Sequence, residues 1–311
     1  MPNTISTKTY RDKYRSASLA KLLRKALVAE AICEVDRTGA KTIQNPYGSQ
    51  PTATVQAIAG TYNVGTYQTT DDTLTVSQEV IVAEHIYDFE ETLTRFPIFA
   101  NRTDEQNFAV AYAIDKYVVN ELCKNAGQSY TAPVGGFVTA ANLPTIVSNL
   151  IALVAGFSEM WKGMYLILEN NDLAGIIAQQ VGSGFNYSDA ALNNGFLGNY
   201  MGVEMYVVRE GTFATYSAGS NSFQNDGKRL FGIKKTCTYA SPLGIRFEEK
   251  GVSGKTGKEV VTFGYIGAKV WAVKDDLTIA IVANGPSASA SLSPSASLSP
   301  SSSASSSPSP S

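Results

Sequence analysis

Residues 45–75 read NPYGSQPTATVQAIAGTYNVGTYQTTDDTLT. Apolar and polar residues alternate through Thr54-Val55-Gln56-Ala57-Ile58-Ala59 and again through Leu74-Thr75-Val76-Ser77-Gln78-Glu79-Val80. Gly60, Gly65 and Asp71-Asp72 punctuate the interval. A period of two, interrupted by turn residues, predicts a long β-hairpin. Little of it is apolar enough to bury against its own domain. A ribbon of this kind finds its partner surface on another molecule. That points to an assembly subunit rather than an enzyme.

On the N-terminal side, Ser16 to Val35 reads as an amphipathic helix ended by Gly39, with Leu19, Leu22, Leu23 and Ala26 on one face. Lys21, Arg24 and Lys25 occupy its other faces. On the C-terminal side, the chain resets after Pro97, and Thr103-Asp104-Glu105-Gln106 has the pattern of a capping box. The predicted helix runs from there to Lys124, with Phe108, Ala111, Val118 and Leu122 along one side. Its ~20 residues would span roughly 30 Å.

Asn142 to Ala155 keeps strict helical spacing through Leu143, Ile146, Val147, Leu150, Ile151 and Val154. Met164 to Leu168 reads as a buried strand, Asn171 as the cap of a helix from Leu173 to Gln180, and Val203 to Val208 as a strand. Further strands are predicted at Leu230–Lys235, Ile245–Glu249, Val260–Tyr265, Ala268–Val273 and Leu277–Val282. The fold class is α+β. From Gly285 the composition becomes Ser/Pro-rich, and Ser289–Pro294 is repeated as Ser295–Pro300. Such a segment cannot build a core and reads as disordered.

The chain has 311 residues and a net charge of −2. Setting aside 285–311 leaves 284 for one large domain or two smaller ones. The charge is blocked along the sequence. Residues 1–41 carry nine Lys/Arg against four Asp/Glu, 42–105 two against nine, and 228–274 ten against three. Alternating basic and acidic blocks fit self-complementary association between copies, or separately solvated faces. On the first reading, Asp71 and Asp72 in the acidic block face Lys255 and Lys258 of a neighbour, and Arg24 and Lys25 of the basic arm meet an acidic neighbouring surface. The arm could equally touch phosphates.

Chemistry is sparse. Cys33, Cys123 and Cys237 are far apart, odd in number and without metal spacing, so they read as buried thiols of a reducing cytoplasm. His85 is the only histidine and has no nucleophile beside it in sequence. Asp71-Asp72 and Glu90-Glu91 are adjacent pairs that a strand would point to opposite faces. Gly182-Ser183-Gly184 lacks the Lys-Ser/Thr of a phosphate loop. No cofactor, metal site or catalytic group is expected. No apolar run reaches the ~18–20 residues of a membrane span, and the start lacks the apolar core of a signal peptide.

The order of parts resembles the major capsid protein of tailed bacteriophages, the Hong Kong 97 type. Gly195-Phe196-Leu197-Gly198-Asn199-Tyr200-Met201-Gly202-Val203 running on to Val208 resembles that family's glycine-bounded turn into a strand. Phe263-Gly264-Tyr265-Ile266-Gly267 resembles the entry to its C-terminal sheet. The resemblance implies an N-terminal arm at 1–46 and an extended loop at 47–80. It also implies a peripheral domain with a spine helix at 81–139, an axial domain at 140–240, the closing peripheral part at 241–284, and an unassigned tail at 285–311. It implies a structural, non-catalytic subunit that self-assembles into pentamers and hexamers of an icosahedral shell around double-stranded DNA. Scaffolding, portal and cement proteins would be separate chains, and assembly would take place in the host cytoplasm without a membrane. Some relatives join a loop lysine to a neighbour's asparagine; this sequence has no lysine between Lys41 and Lys116 for such a bond. An encapsulin-like compartment shares the same implied fold. From another class, the Ser-rich tail and many tyrosines would also suit a small hydrolase or adhesin module.

Overall fold

The computed structural model describes residues 27–48, 55, 58, 68–87, 98–138, 142–155, 163–173, 196–213, 215–218, 221–251 and 257–282. Along the chain these form α1 (Val28–Ile32), β1 (Glu34–Asp36), β2 (Thr42–Gly48), β3 (Thr69–Thr75), β4 (Gln78–Ile86), α2 (Ile98–Lys124) and β5 (Gln128–Thr131). There follow α3 (Asn142–Ala155), β6 (Met164–Glu169), β7 (Phe196–Tyr200), β8 (Val203–Val208), β9 (Thr215–Ala218), β10 (Asn221–Gln224) and β11 (Lys228–Ile233). The last strands are β12 (Cys237–Ala240), β13 (Arg246–Gly251), β14 (Lys258–Val270) and β15 (Thr278–Val282).

A six-stranded sheet in the order β5-β15-β11-β6-β8-β7 lies between α2 and α3. Coverage on both faces explains why β6 is an unbroken apolar run instead of an alternating one. Met164, Leu166 and Leu168 pack with Leu143, Ile146 and Leu150 of α3. Tyr165 and Ile167, between them in sequence, pack with Val110, Ile114 and Val118 of α2. The sheet draws β5 and β15 from either side of the 140–240 stretch. α3 and β8 have the bounds that their periodicity predicts.

The second sheet has five strands, ordered β1-β12-β14-β13 with β4 also on β14. α2 lies across it, and the buried Gln106 joins the two layers. Its amide donates to Glu84 Oε2 at 3.2 Å, and its carbonyl oxygen accepts from Thr262 Oγ1 at 2.9 Å. This corrects the expected start of the helix at Thr103. α2 begins at Ile98, directly after Pro97, because Gln106 is engaged with the sheet rather than reaching back as a cap. The helix has 27 residues, about 40 Å at 1.5 Å per residue. Its buried stripe is Gln106, Val110, Ile114, Val118 and Leu122, whereas Phe108 and Ala111 are only half-buried.

The N-terminal helix ends earlier than its pattern suggests. α1 stops at Ile32, and Glu34–Asp36 becomes a strand parallel to Thr238–Ala240, so an available sheet edge overrides helical propensity. Residues 16–26 lie outside the described residues. The first amides of α1 have no cap of their own. Val28 N and Ala29 N donate instead to the carboxylate of Asp115 on α2, at 3.2 and 2.9 Å.

The strands expected at 260–265 and 268–273 are one strand, the 13-residue β14. Gly267, between the two expected strands, is a place of close approach: a Cβ there would stand 3.0 Å from the Thr75 carbonyl oxygen. The expected helix at 173–180, apart from Leu173, lies outside the described residues, as do the Ser/Pro tail and the centre of the 251–258 turn.

Candidate assembly interface

The ribbon is present, but its strands are not those the alternation suggested. β2 and β3 pair antiparallel from Thr42↔Thr75 to Gly48↔Thr69. Of the first predicted strand, only Val55 and Ile58 are described, and both are fully exposed, at 104% and 103%. The second predicted strand divides at Val76, and Gln78 onward belongs to β4 on the five-stranded sheet. β2 carries Pro46, which a sheet interior would not accommodate, but a two-stranded ribbon has a free edge on each side. Along both strands only Leu74 is buried.

Two-stranded ribbons are marginal in water. This one is fastened at its base. Leu74 packs on Ala240 and Trp271, with Ile43 and Val76 alongside. Trp271 is held in turn by its Nε1, which donates to Thr238 Oγ1 at 2.8 Å. Asp72 is the polar part of the clamp. Its Oδ2 accepts from Ala272 N at 2.9 Å, and its Oδ1 accepts from Lys269 Nζ. The same ammonium donates to the Thr73 carbonyl at 2.7 Å. Burial works against the Asp72 charge, but the Ala272 amide and the Lys269 ammonium outweigh it and hold the carboxyl below the ordinary carboxylate range.

A lowered folded-state pKa contributes stability above the ordinary range and loses it as pH falls through the folded value. We therefore expect Asp72→Asn to speed hydrogen exchange across 42–48 and 69–75 by about 10- to 100-fold, the worth of charge-assisted hydrogen bonds. Acidification of the native chain should reproduce this. Exchange that is indifferent to both would remove Asp72 from the clamp.

Beside the ribbon, the five-stranded sheet has an open face. Val260, Thr262 and Ile266 of β14 turn inward, so Phe263 and Tyr265 turn outward, whereas Val261 on the same side is buried. Ile81 of β4 lies directly opposite Phe263 and is 55% exposed; Tyr265 is 38% exposed. The two rings meet edge-on at 6.0 Å.

The predicted contact residues are distributed unevenly. Asp71 is exposed on β3. Asp72 faces its own chain's Lys269. Lys258 is exposed and pairs with Glu249 across the β13–β14 hairpin at 3.1 Å. Arg24, Lys25 and Lys255 lie outside the described residues. Much of the basic 228–274 block is engaged internally: Lys234 with Glu204 at 2.5 Å, Lys250 with Glu248 at 3.1 Å, and Arg229 with two carboxylates. His85 meets Tyr87 edge-on at 4.5 Å. Among the described residues no cluster of His, Cys, Asp or Glu is placed to hold a metal ion, and no helix is long and apolar enough to cross a membrane.

Sequence reasoning missed the buried triad formed by Arg229, Glu169 and Asp172. Arg229 Nε donates to Asp172 Oδ2 at 2.5 Å, and Nη2 reaches Asp172 Oδ1 and Glu169 Oε2, both at 3.2 Å. Glu169 Oε1 accepts from Phe213 N at 3.0 Å, and the Arg229 guanidinium lies 5.6 Å from the Phe213 ring centre. Burial pushes the Glu169 carboxyl above its ordinary range, with Arg229 opposing.

No family model matches the chain, and no curated protein matches it. Solved structures do. The capsid of the cyanophage P-SCSP1u superposes with a TM-score of 0.66 at 14% identity, covering 92% of this chain and 97% of that one. The head structure of Helicobacter pylori bacteriophage KHP40 matches at 0.60 and 10% identity, over 91% and 95%. The Mycobacterium phage Che8 structure matches at 0.58 and 15%, over 90% and 96%. Across nearly its whole length, this chain has the fold of phage capsid proteins.

Proposed function

We propose that this chain is the major capsid protein of a tailed bacteriophage, a non-catalytic subunit that assembles in the host cytoplasm into an icosahedral shell around double-stranded DNA. The observation that carries this reading is the ribbon, a two-stranded extension fastened, among the described residues, at its base, on a body with a capsid fold. On this reading residues 1–46 are the arm and 47–80 the extended loop. The peripheral domain, 81–139 and 241–284, is built on α2 and the five-stranded sheet. The axial domain is built on α3 and the six-stranded sheet from 140–240, with β5 and β15 added.

The ribbon lies on a neighbouring copy, and the outward face at Ile81, Phe263 and Tyr265 is the surface of matching character. Asp71, Arg24, Lys25, Lys255 and Lys258 are proposed contact residues; Asp72 acts by setting the angle of the ribbon. Pentamers and hexamers are the expected rings, with scaffolding, portal and cement proteins as separate chains.

Expression of the full chain should give closed particles of megadalton mass by negative-stain microscopy and size exclusion. A chain that stays monomeric with its scaffolding partner present would overturn the reading. Nucleic acid inside particles from infected cells fits a virus, whereas an enriched enzyme would fit an encapsulin-like compartment.

A further inference from the structure

Two of the three cysteines, 204 positions apart, meet in the core: the Sγ atoms of Cys33 and Cys237 are 3.1 Å apart. Both are free thiols and both are buried. Their positions are set by the backbone. Cys33 follows α1 and immediately precedes β1, Cys237 opens β12, and the two strands run parallel with Glu34 beside Thr238. Neighbouring strands are about 4.8 Å apart, inside the roughly 4.4–6.8 Å Cα window of a disulfide. The Lys235 amide, donating to the Ile32 carbonyl at 2.9 Å, pins the backbone on the other side of the pair.

We propose that Cys33 and Cys237 are the site of an intramolecular disulfide, formed after folding by exchange with a small external disulfide. It would covalently fasten the N-terminal segment to the five-stranded sheet. One protein thiolate attacks a sulfur of the small disulfide, giving a mixed disulfide and releasing one small thiol. The second protein thiolate then attacks the protein sulfur and releases the other. The two cysteines lose two hydrogens, and the small disulfide gains both.

Burial, aided by the neighbouring Cys237, pushes the Cys33 thiol well above its ordinary range, so the folded pair is slow to react while enclosed. Reaction awaits local opening of residues 27–36. That segment seats Val28, Ala29 and Ile32 in the core and is hydrogen-bonded by a three-residue ladder, two amides on Asp115, and the Lys235 and Ser241 amides. Being only ten residues at the edge of the sheet, it can open as a unit without global unfolding. The pair therefore stays reduced in a reducing compartment and closes on release into an oxidising one. Cys123 belongs to the same apolar cluster, but the charges nearest to act on it are Lys228 and Arg229; burial raises its thiol to about 11. The thiol chemistry does not depend on the shell reading.

The test is incubation of the purified native full chain, assembled or not, with millimolar oxidised glutathione. The expected result is a mass loss of two hydrogens, a Cys33–Cys237 linked peptide, and a melting temperature higher by about 10 °C, as expected for closing a loop this long. Dithiothreitol should reverse all three. Cys123→Ser should leave them intact, and Cys33→Ser or Cys237→Ser should abolish them. Three free thiols after native oxidation, or a linkage to Cys123, would overturn the proposal. Because the linked peptide is read directly in the native chain, the result stands whether or not the variants fold and whether or not particles form.

Discussion

Replacement of residues 49–68 by a two-residue Asn-Gly turn is expected to give a chain that folds but forms no shell. Gly48 and Thr69 are a ladder pair, so a two-residue turn can close the ribbon at that point. The base is retained: Leu74 on Trp271, and Asp72 on Lys269 and Ala272. Val55, Ile58 and Gln68, the described residues of the deleted stretch, are exposed, so the body should lose little and the melting temperature should move by no more than about 3 °C. Particle yield, counted by negative-stain microscopy against the native chain, should fall to background. Normal yield would show that the distal ribbon makes no contact essential to assembly.

Arg229→Met should be the most destabilising single change among those considered. It leaves the side-chain volume nearly intact but removes the only cation bonded to Glu169 and Asp172 among the described residues, and both carboxylates are buried. Breaking one side of a buried ion network costs about 3–5 kcal/mol. The sign with pH is specific. Burial already raises the Glu169 carboxyl, and removing Arg229 removes what opposes that rise. A raised acid pKa means the folded state holds its proton more tightly, so stability is lost as pH climbs through the folded value. The variant should therefore be worst at neutral pH and regain part of the loss on acidification. Denaturant melts at several pH values measure this. A deficit independent of pH would show that packing, not charge, makes the triad matter.

The parts of the fold legible in the sequence are those whose signal is local. α3 repeats its apolar residues every three or four positions, and β6 is a continuous apolar run; both emerge with almost the expected bounds. The ribbon was legible in kind but displaced in place. Alternation marks any exposed strand, and a strand containing Pro46 is accommodated only at a free edge, which the local sequence does not reveal. Gly267 is an equally good signal for a turn and for a close backbone approach, and β14 read as two strands on either side of it. The contacts that define the candidate interface and the core pairings leave no local trace. Asp72 meets Lys269 across 197 positions and Cys33 meets Cys237 across 204, and only the folded topology brings either pair together. The charge blocks were real as composition, but much of the basic one is neutralised within the chain.

β14 has a mechanical consequence. Its 13 residues span about 43 Å of fully extended backbone. The same strand touches the long helix through Thr262 and the root of the ribbon through Lys269 and Gly267. Tension entering from the ribbon therefore meets a polypeptide that has no slack to give. A pull along its axis loads the ladders to β4, β13 and β12 in shear, so their hydrogen bonds must fail together rather than unzip one by one. In the proposed shell, that arrangement would carry tension within the single subunit.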